Sequence, residues 1–485
     1  MTIKDLRNDI MEGEKNRSTK SLALIGCGAS TVLVLEAIKI RIKNITRNIE
    51  IHIFEKKSYL GRGMAYDTKI RNLIINTAPE TMSVNYEDKN DFINWLQGRG
   101  IHSQHGVPRR IYGDYLEEKL NDCIKIMREN KKKIRIHNEE VIKIIISEKY
   151  KIITHSQRKD FDYCILATGA QVNNPVHLIN DEFMTIFNEK EISKISKNKK
   201  ICILGSGQSA IDACIMLEYF NVRGNYTLLS RGGILPGVKS MYHENSAKTV
   251  DSYNTSILPF AELTKIIQLA LTKKIKKKPP VVTPFNSLEI MIDDINKLET
   301  EKYPEWQRIM AQLTPCINKS WQGLNSCEKI LFYEKHYNTF HYLRNTIIQP
   351  SAKRFLKIVN TGRVELTWGS YSIIHQKNKF KVKKCDSLLY FDYVINASGL
   401  RPYGLNEIFT DEISSGNLKL NKMRGMDVDC KNMRVLNKKG MPYRGFYSIG
   451  YPTYNSIIIP NSIELLRECA KSLAENLIQS LGETE

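Results

Sequence analysis

The sequence predicts an α/β protein, and three observations carry that prediction. Short, continuous apolar runs recur along the chain. Two of them run through Gly-x-Gly into a segment of helical periodicity. Two others end in Ala-Thr-Gly or Ala-Ser-Gly. At 485 residues, the chain has room for two to four domains of ~100–200 residues each. Its 42% hydrophobic and 26% charged composition is that of a globular protein and excludes disorder or a fibrous repeat as a description of the whole.

The strands come in order as Leu22–Ile25, Ile51–Phe54, Tyr163–Ala167, Ile201–Leu204, Tyr226–Leu229 and Tyr393–Ala397. They are apolar throughout instead of alternating, as strands covered on both faces of a parallel sheet must be. Helical spacing follows the first (Val32, Leu33, Leu35, Ala37, Ile38) and the fourth (Ile211, Ala213, Cys214, Leu217). The apolar stretch 21–40 would pass for a short membrane span on hydropathy. Gly26, Gly28, Ser30, Thr31 and Glu36 interrupt it, and strand–turn–helix explains it better. Between 240 and 350 the strand–glycine punctuation stops and the pattern turns mostly helical. The aromatic residues there (Trp306, Trp321, Phe332, Tyr333, Tyr337, Phe340, Tyr342) read as packing against the sheet domains in preference to ligand contact.

Gly26-Cys27-Gly28-Ala29-Ser30-Thr31 is a first nucleotide turn. The first glycine makes the tight turn, the second admits a pyrophosphate to the backbone, and the third position packs helix on strand. Thr31 stands where a glycine or alanine is usual. Glu55 closes the next strand, where a carboxylate accepts hydrogen bonds from an adenosine ribose; the plainer reading is a surface acid at a strand end. Gly205-Ser206-Gly207-Gln208-Ser209-Ala210 is a cleaner second match. Its following strand ends in Ser230-Arg231, a hydroxyl and a guanidinium suited to a ribose 2′-phosphate and so to NADPH; otherwise Arg231 is a turn residue. Two such sites point to one prosthetic flavin and one nicotinamide donor. The strands ending at Thr168-Gly169 and Ser398-Gly399 read as entry to and exit from an inserted nicotinamide domain.

Three further segments follow the first turn in order. They are Gly61-Arg62-Gly63-Met64-Ala65-Tyr66, then Leu73-Ile74-Ile75-Asn76 with Met82-Ser83, then Pro108-Arg109-Arg110-Ile111-Tyr112-Gly113-Asp114-Tyr115-Leu116. With them, residues 20–460 resemble the family of FAD-NAD(P)-binding proteins, related to the flavin-dependent N-hydroxylating monooxygenases. The resemblance implies FAD on an outer, discontinuous domain and NAD(P)H on an inner one. It places Gly26, Gly28 and Glu55 at the FAD adenosine diphosphate and Asn76, Met82 and Ser83 near the flavin; Ala29 and Ser30 of the first turn are expected to bind cofactor too. Arg109 would lie near the flavin or its phosphates, and Gly450, Pro452 and Asn455 along the isoalloxazine. The plainer readings are a surface pair for Arg109-Arg110 and a turn cap for Asn76. The chain departs from the wider superfamily at Thr31 and at Gly450-Tyr451, where Gly-Asp is common.

The expected organisation is a polar tail (1–20), an FAD-binding domain in two parts (21–195 and 401–485) and an NADPH-binding domain (196–400) with a helical insertion at about 241–350. The resemblance implies hydroxylation of an amino group of a small metabolite by a flavin hydroperoxide, with O2 as co-substrate. The alternative is an NADPH-dependent flavin oxidoreductase without oxygenation. A third reading comes from the charge. Lys+Arg exceeds Asp+Glu by 72 to 52, for a net +20, as in a nucleic-acid- or membrane-associated protein with a vestigial nucleotide fold. That excess is lysine (49, against 23 arginines) spread along the chain, so neither nucleic acid nor membrane is expected as a partner. The densest run, Lys273 to Lys278, reads as a solvated helix end or linker. Ten cysteines without a Cys-x-x-Cys or a zinc-type spacing argue against disulfides, metal and a dithiol reductase; with no apolar leader, a reducing cytoplasm is expected.

Overall fold

The computed structural model describes residues 19–56, 60–102, 106–173, 183–241, 257–275, 281–376, 379–384 and 387–482. The chain begins with β1 (Lys20–Ile25), α1 (Ala29–Ile40) and β2 (Ile49–Phe54), then α2 (Arg109–Glu129), β3 (Lys133–His137) and β4 (Tyr163–Leu166). It continues through β5 (Met184–Thr185), β6 (Lys200–Leu204), α3 (Gln208–Tyr219) and β7 (Asn225–Ser230). Five helices follow: α4 (Phe260–Lys274), α5 (Ser287–Thr300), α6 (Glu305–Gly323), α7 (Ser326–Lys335) and α8 (Tyr337–Arg344). The last stretch holds α9 (Gln349–Val359), β8 (Val364–Trp368), β9 (Tyr393–Asn396), β10 (Val428–Asp429), β11 (Arg434–Leu436), β12 (Pro442–Ser448) and α10 (Ile463–Gly482).

Two sheets organise these elements. The first has the order β10-β11-β12-β4-β1-β2-β3 and draws strands from both ends of the chain. The second, β8-β7-β6-β9-β5, is parallel throughout and comes from the middle. In each, the strand before the glycine turn is central and carries neighbours on both sides, so Leu22, Leu24, Ile201 and Ile203 are fully buried. The chain crosses between the sheets twice, and the two crossings pair antiparallel, Ala170–Val172 against Leu400–Pro402. Asn173 N–H donates to Gly399 O, and the Ser398 hydroxyl donates to Asn173 O.

The 240–350 segment is mostly helical in its described parts and has its own core. Trp321 and Phe332 are fully enclosed, and Trp306 and Phe340 nearly so, alongside Leu263, Ile267 and Ile317. The lysine run behaves otherwise than its composition implies. Lys273 is exposed and pairs with Glu305, but Lys274 turns inward, fully buried. Its ammonium bonds the Asp294 carboxylate at 2.7 Å and lies 4.2 Å from the Trp306 ring centre. A charge can be buried when it is paired and hydrogen-bonded; the local sequence does not show the partner. Lys276 to Lys278 lie outside the described residues. Cys164 and Cys202 are free thiols inside strands, where they pack as small apolar groups. Among the described residues, no helix is long and apolar enough to cross a membrane.

Candidate functional site: two glycine turns and the cleft between them

The two turns are built alike. Gly26 has φ +94° and Gly205 has φ +126°, conformations that L side chains rarely adopt. A Cβ on Gly26 would lie 2.5 Å from Ala167 O, and one on Gly205 would lie 2.4 Å from Ala397 O. Each turn is thus pressed against the Ala-Thr/Ser-Gly end of its neighbouring strand. Gly28 and Gly207 cap α1 and α3, leaving the unpaired N–H groups of each first turn pointing outward, the arrangement that receives a diphosphate. Ala29 and Ser30 open α1; Gln208, Ser209 and Ala210 open α3.

Thr31 is fully buried, and its hydroxyl donates to Gly26 O at 2.7 Å. The threonine therefore braces the turn. The Glu55 carboxylate reaches the same turn and accepts from Cys27 N–H at 2.8 Å. The Gly61-Arg62-Gly63 segment closes the other side: Gly61 N–H donates to Cys27 O, and a Cβ on Gly28 would meet the Gly63 Cα at 3.4 Å. Arg62 is held by Asp114 and Glu117 of α2.

Several features fit a flavin dinucleotide here. The Thr168 hydroxyl is buried beside the turn with no partner among the described residues, and Gly169 follows at φ +73°. Gly450 has φ +81°, and a Cβ there would come within 2.7 Å of the Ser30 hydroxyl, so the chain returns tightly over the start of α1. Pro452 is buried in the same turn, and Asn455 sits at φ +74°. Asn455 is gripped by the helical segment: Tyr333 donates to its side chain, and Trp321 Nε1 donates to its carbonyl at 2.7 Å. Burial pushes the Tyr451 phenol up to about 12.

The other expected residues are held by bonds within the protein. Met82 and Ser83 are buried within the first domain. Met82 O accepts from Tyr112, and the Ser83 hydroxyl lies 2.6 Å from Asp88 O. Arg109 points to the second domain, where it bonds Asp212 of α3 at 2.7 Å, with Nε on Ile74 O. Asn76 also bridges the domains: its amide donates to Gln208 Oε1 and Thr346 O and accepts from Ile348 N–H. At the second turn the Ser230 hydroxyl lies 2.9 Å from the Ser206 hydroxyl and accepts from Gly233 N–H, so it shapes the loop that carries the exposed Arg231.

Sequence reasoning missed Lys239 and Arg344. Lys239 belongs to a two-residue strand, Val238–Lys239, paired with Ile347–Ile348, and Ile348 is the residue that bonds Asn76. Burial, with the Arg344 charge nearby, pushes the Lys239 ammonium down to about 7. Burial also lowers Arg344, which Glu464 opposes. Among the described residues neither cation has a salt-bridge partner, whereas Lys274 and Arg109 do. No motif marks these residues; only tertiary contacts bring 239, 344 and 76 together.

Two glycine-turn sheets in one chain, the middle one reached by paired crossings, define a fold with two dinucleotide-binding domains. Residues 23–171, which hold the first turn, match the family model described as FAD-NAD(P)-binding. The chain is similar in structure to an ornithine N-hydroxylase of Kutzneria sp. 744 solved with reduced FAD, NADP+ and L-ornithine (TM-score 0.61, 12% identity, covering 95% of this chain and 99% of that one). It is similar also to the ornithine hydroxylase of Pseudomonas aeruginosa in its reduced form (0.58, 13%, 96% and 100%). A lysine monooxygenase of Nocardia farcinica gives 0.54 and 12% over 94% and 98%. At these identities the likeness is one of fold. No curated protein sequence matches the chain.

Proposed function

We propose that this chain is an FAD- and NADPH-dependent monooxygenase that hydroxylates an amino group of a small, anion-bearing metabolite. The observation that carries the reading is the doubled turn: Gly26 against Ala167 and Gly205 against Ala397, each capping a helix. The outer domain, 21–195 with 401–485, would hold FAD through Gly26, Gly28, Ala29, Ser30, Glu55, Thr168, Gly169 and the 450–455 turn. The inner one, 196–400, would hold NADPH through Gly205, Gly207, Gln208, Ser209, Ser230 and Arg231, with Ser398 and Gly399 at the crossing. The solved proteins of like fold include ornithine hydroxylases and a lysine monooxygenase, which supports the amino-group reading.

When bound, the two cofactors supply hydride transfer and O2 activation. The chain's part is to bind, orient and exclude water. Glycine-turn amides take the diphosphates, and Thr168 offers its unpaired hydroxyl to the outer one. The Arg109–Asp212 and Asn76–Gln208 bonds fix the domains against each other, which sets the gap a hydride must cross. Lys239 and Arg344 draw an anionic group into the cleft. Tyr333 and Tyr337, bonded to Asn455 and Tyr454, hold the helical segment against the 450–455 turn and shield it from water.

The test starts from the absorption spectrum of the purified or FAD-reconstituted protein, followed by NADPH oxidation with a panel of amino acids and diamines. Hydroxylamine product in proportion to NADPH consumed is expected. NADPH consumption that yields only peroxide under every amine would replace this reading with the plain oxidoreductase. A protein that cannot be loaded with flavin would end both.

A further inference from the structure

Phe285 is 83% exposed, the most exposed large apolar side chain among the described residues. It belongs to the segment that leads into α5, within the helical insertion. Its ring meets Trp368 with centres 5.1 Å apart and planes at 86°, so the two rings form an open corner. Trp368 is the last residue of β8, in register with Ser230 at the end of β7, and Gly369 N–H donates to Ser230 O. The Gly232-Gly233 loop is pressed over this tryptophan: a Cβ on Gly233 would lie 2.7 Å from Trp368 Cβ. Positive charge flanks the corner. Exposed Arg231 is near enough to Tyr371 for its charge to act on that phenol. Lys384 Nζ lies 6.0 Å from the Trp368 ring centre, tethered to the Thr367 hydroxyl.

We infer that the corner of Phe285 and Trp368 is the adenine seat of the inner nucleotide site, with Arg231 and Lys384 on its 2′-phosphate. The inference rests on the NADPH reading above and adds three residues to it. Position, shape and charge agree. The adenosine end of a dinucleotide bound on a Gly-x-Gly turn extends toward the end of the second strand, which here is Ser230. An adenine ring stacks on one aromatic face while its edge meets the other. Two cations beside a purine seat match a phosphomonoester, which carries a charge between −1.5 and −2 at neutral pH. The helical insertion thereby supplies part of the NADPH site.

Calorimetry on the FAD-loaded protein with 2′,5′-ADP and 5′-AMP tests this directly, beside steady-state kinetics with NADPH. Because Phe285 is exposed, Phe285→Ala leaves the fold intact. It is expected to weaken both nucleotides by about five- to a hundredfold and to raise KM for NADPH with kcat unchanged. Lys384→Ala is expected to weaken 2′,5′-ADP about five- to tenfold and to leave 5′-AMP alone. Affinities for both nucleotides within twofold of wild type in Phe285→Ala would overturn the adenine seat while leaving the NADPH reading in place. Equal loss for both nucleotides in Lys384→Ala would overturn its phosphate role. A wild-type protein that binds neither nucleotide would take down the NADPH reading and the seat together.

Discussion

The Arg109 guanidinium, on the first residue of α2, bonds the Asp212 carboxylate of α3 at 2.7 Å, with both side chains largely out of solvent. This is a tie between the two dinucleotide domains. Burial raises the Asp212 carboxyl, which Arg109 offsets. Removing one member leaves the other buried without a partner, which costs about 3–5 kcal/mol, whereas replacing both with apolar groups is close to neutral. Arg109→Met should therefore destabilise by about 3 kcal/mol in urea titration, and Arg109→Met with Asp212→Leu should recover most of it. A carboxyl whose folded pKa is raised costs stability above that pKa and nothing below its unfolded pKa. The single variant should accordingly lose less at pH 4 than at pH 8. Equal losses in the single and double variants would show that the tie is not an isolated pair.

Lys274 and Asp294 make a second buried pair, and Asp294 Oδ2 also accepts from Val238 N–H at 2.9 Å. The pair thus anchors the strand whose next residue is Lys239. Asp294→Ala should cost about 3–5 kcal/mol by stranding the Lys274 ammonium beside Trp306. Hydrogen exchange should then quicken first at Val238 and Lys239. Unchanged exchange there, with a global loss of stability, would detach the pair from the strand.

How much of this was legible follows from the range of the interactions involved. The strands and turns were readable because a strand covered on both faces must be apolar throughout, and a turn pressed on a backbone carbonyl admits only glycine. Glu55 was readable as a carboxylate closing the second strand, whereas its hydrogen bond from Cys27 N–H was not. Arg109 was not: its partner is 103 residues distant and belongs to another domain. In sequence, Lys274 looks like its solvated neighbours because nothing local announces Asp294. Met82 and Ser83 lie in a segment the sequence singles out, but the hydrogen bonds that hold them, to Tyr112 and Asp88, are not written in it. Lys239 and Arg344, both half-buried, carry no motif.

His52 makes acid stability a test of the first sheet. Its side chain is enclosed, with Nδ1 2.8 Å from His137 Nε2 and Nε2 3.0 Å from the Lys159 ammonium. Burial and the Lys159 charge push it down to about 4, against a weaker pull from Glu50. A histidine depressed in the folded state contributes stability above its unfolded pKa of about 6.5, and loses it as pH falls toward the folded value. Unfolding free energy should therefore drop by about 2–3 kcal/mol between pH 6.5 and 4 on this account. His52→Phe, which keeps the ring beside Phe54 and Phe161, should remove most of that slope. An unaltered slope in His52→Phe would move the acid sensitivity to the carboxylates.

The proposed anion-holding role of Lys239 makes a prediction about pH. Its ammonium titrates near 7, with Arg344 beside it and Glu464 acting on Arg344. If Lys239 holds the substrate's anionic group as proposed, only its protonated form does so, and affinity should fall as pH rises through 7, by up to about tenfold per unit. This loss should appear in KM for the amine substrate and not in kcat, because the contact is present before and during the reaction. Lys239→Met should raise KM at pH 6.5 and flatten its pH dependence. Lys239→Arg keeps the charge at every working pH and should hold KM low past pH 9. If Lys239→Met keeps the wild-type profile of KM against pH, the anion is held by Arg344 alone, and the substrate's charge must be sought on that side of the cleft.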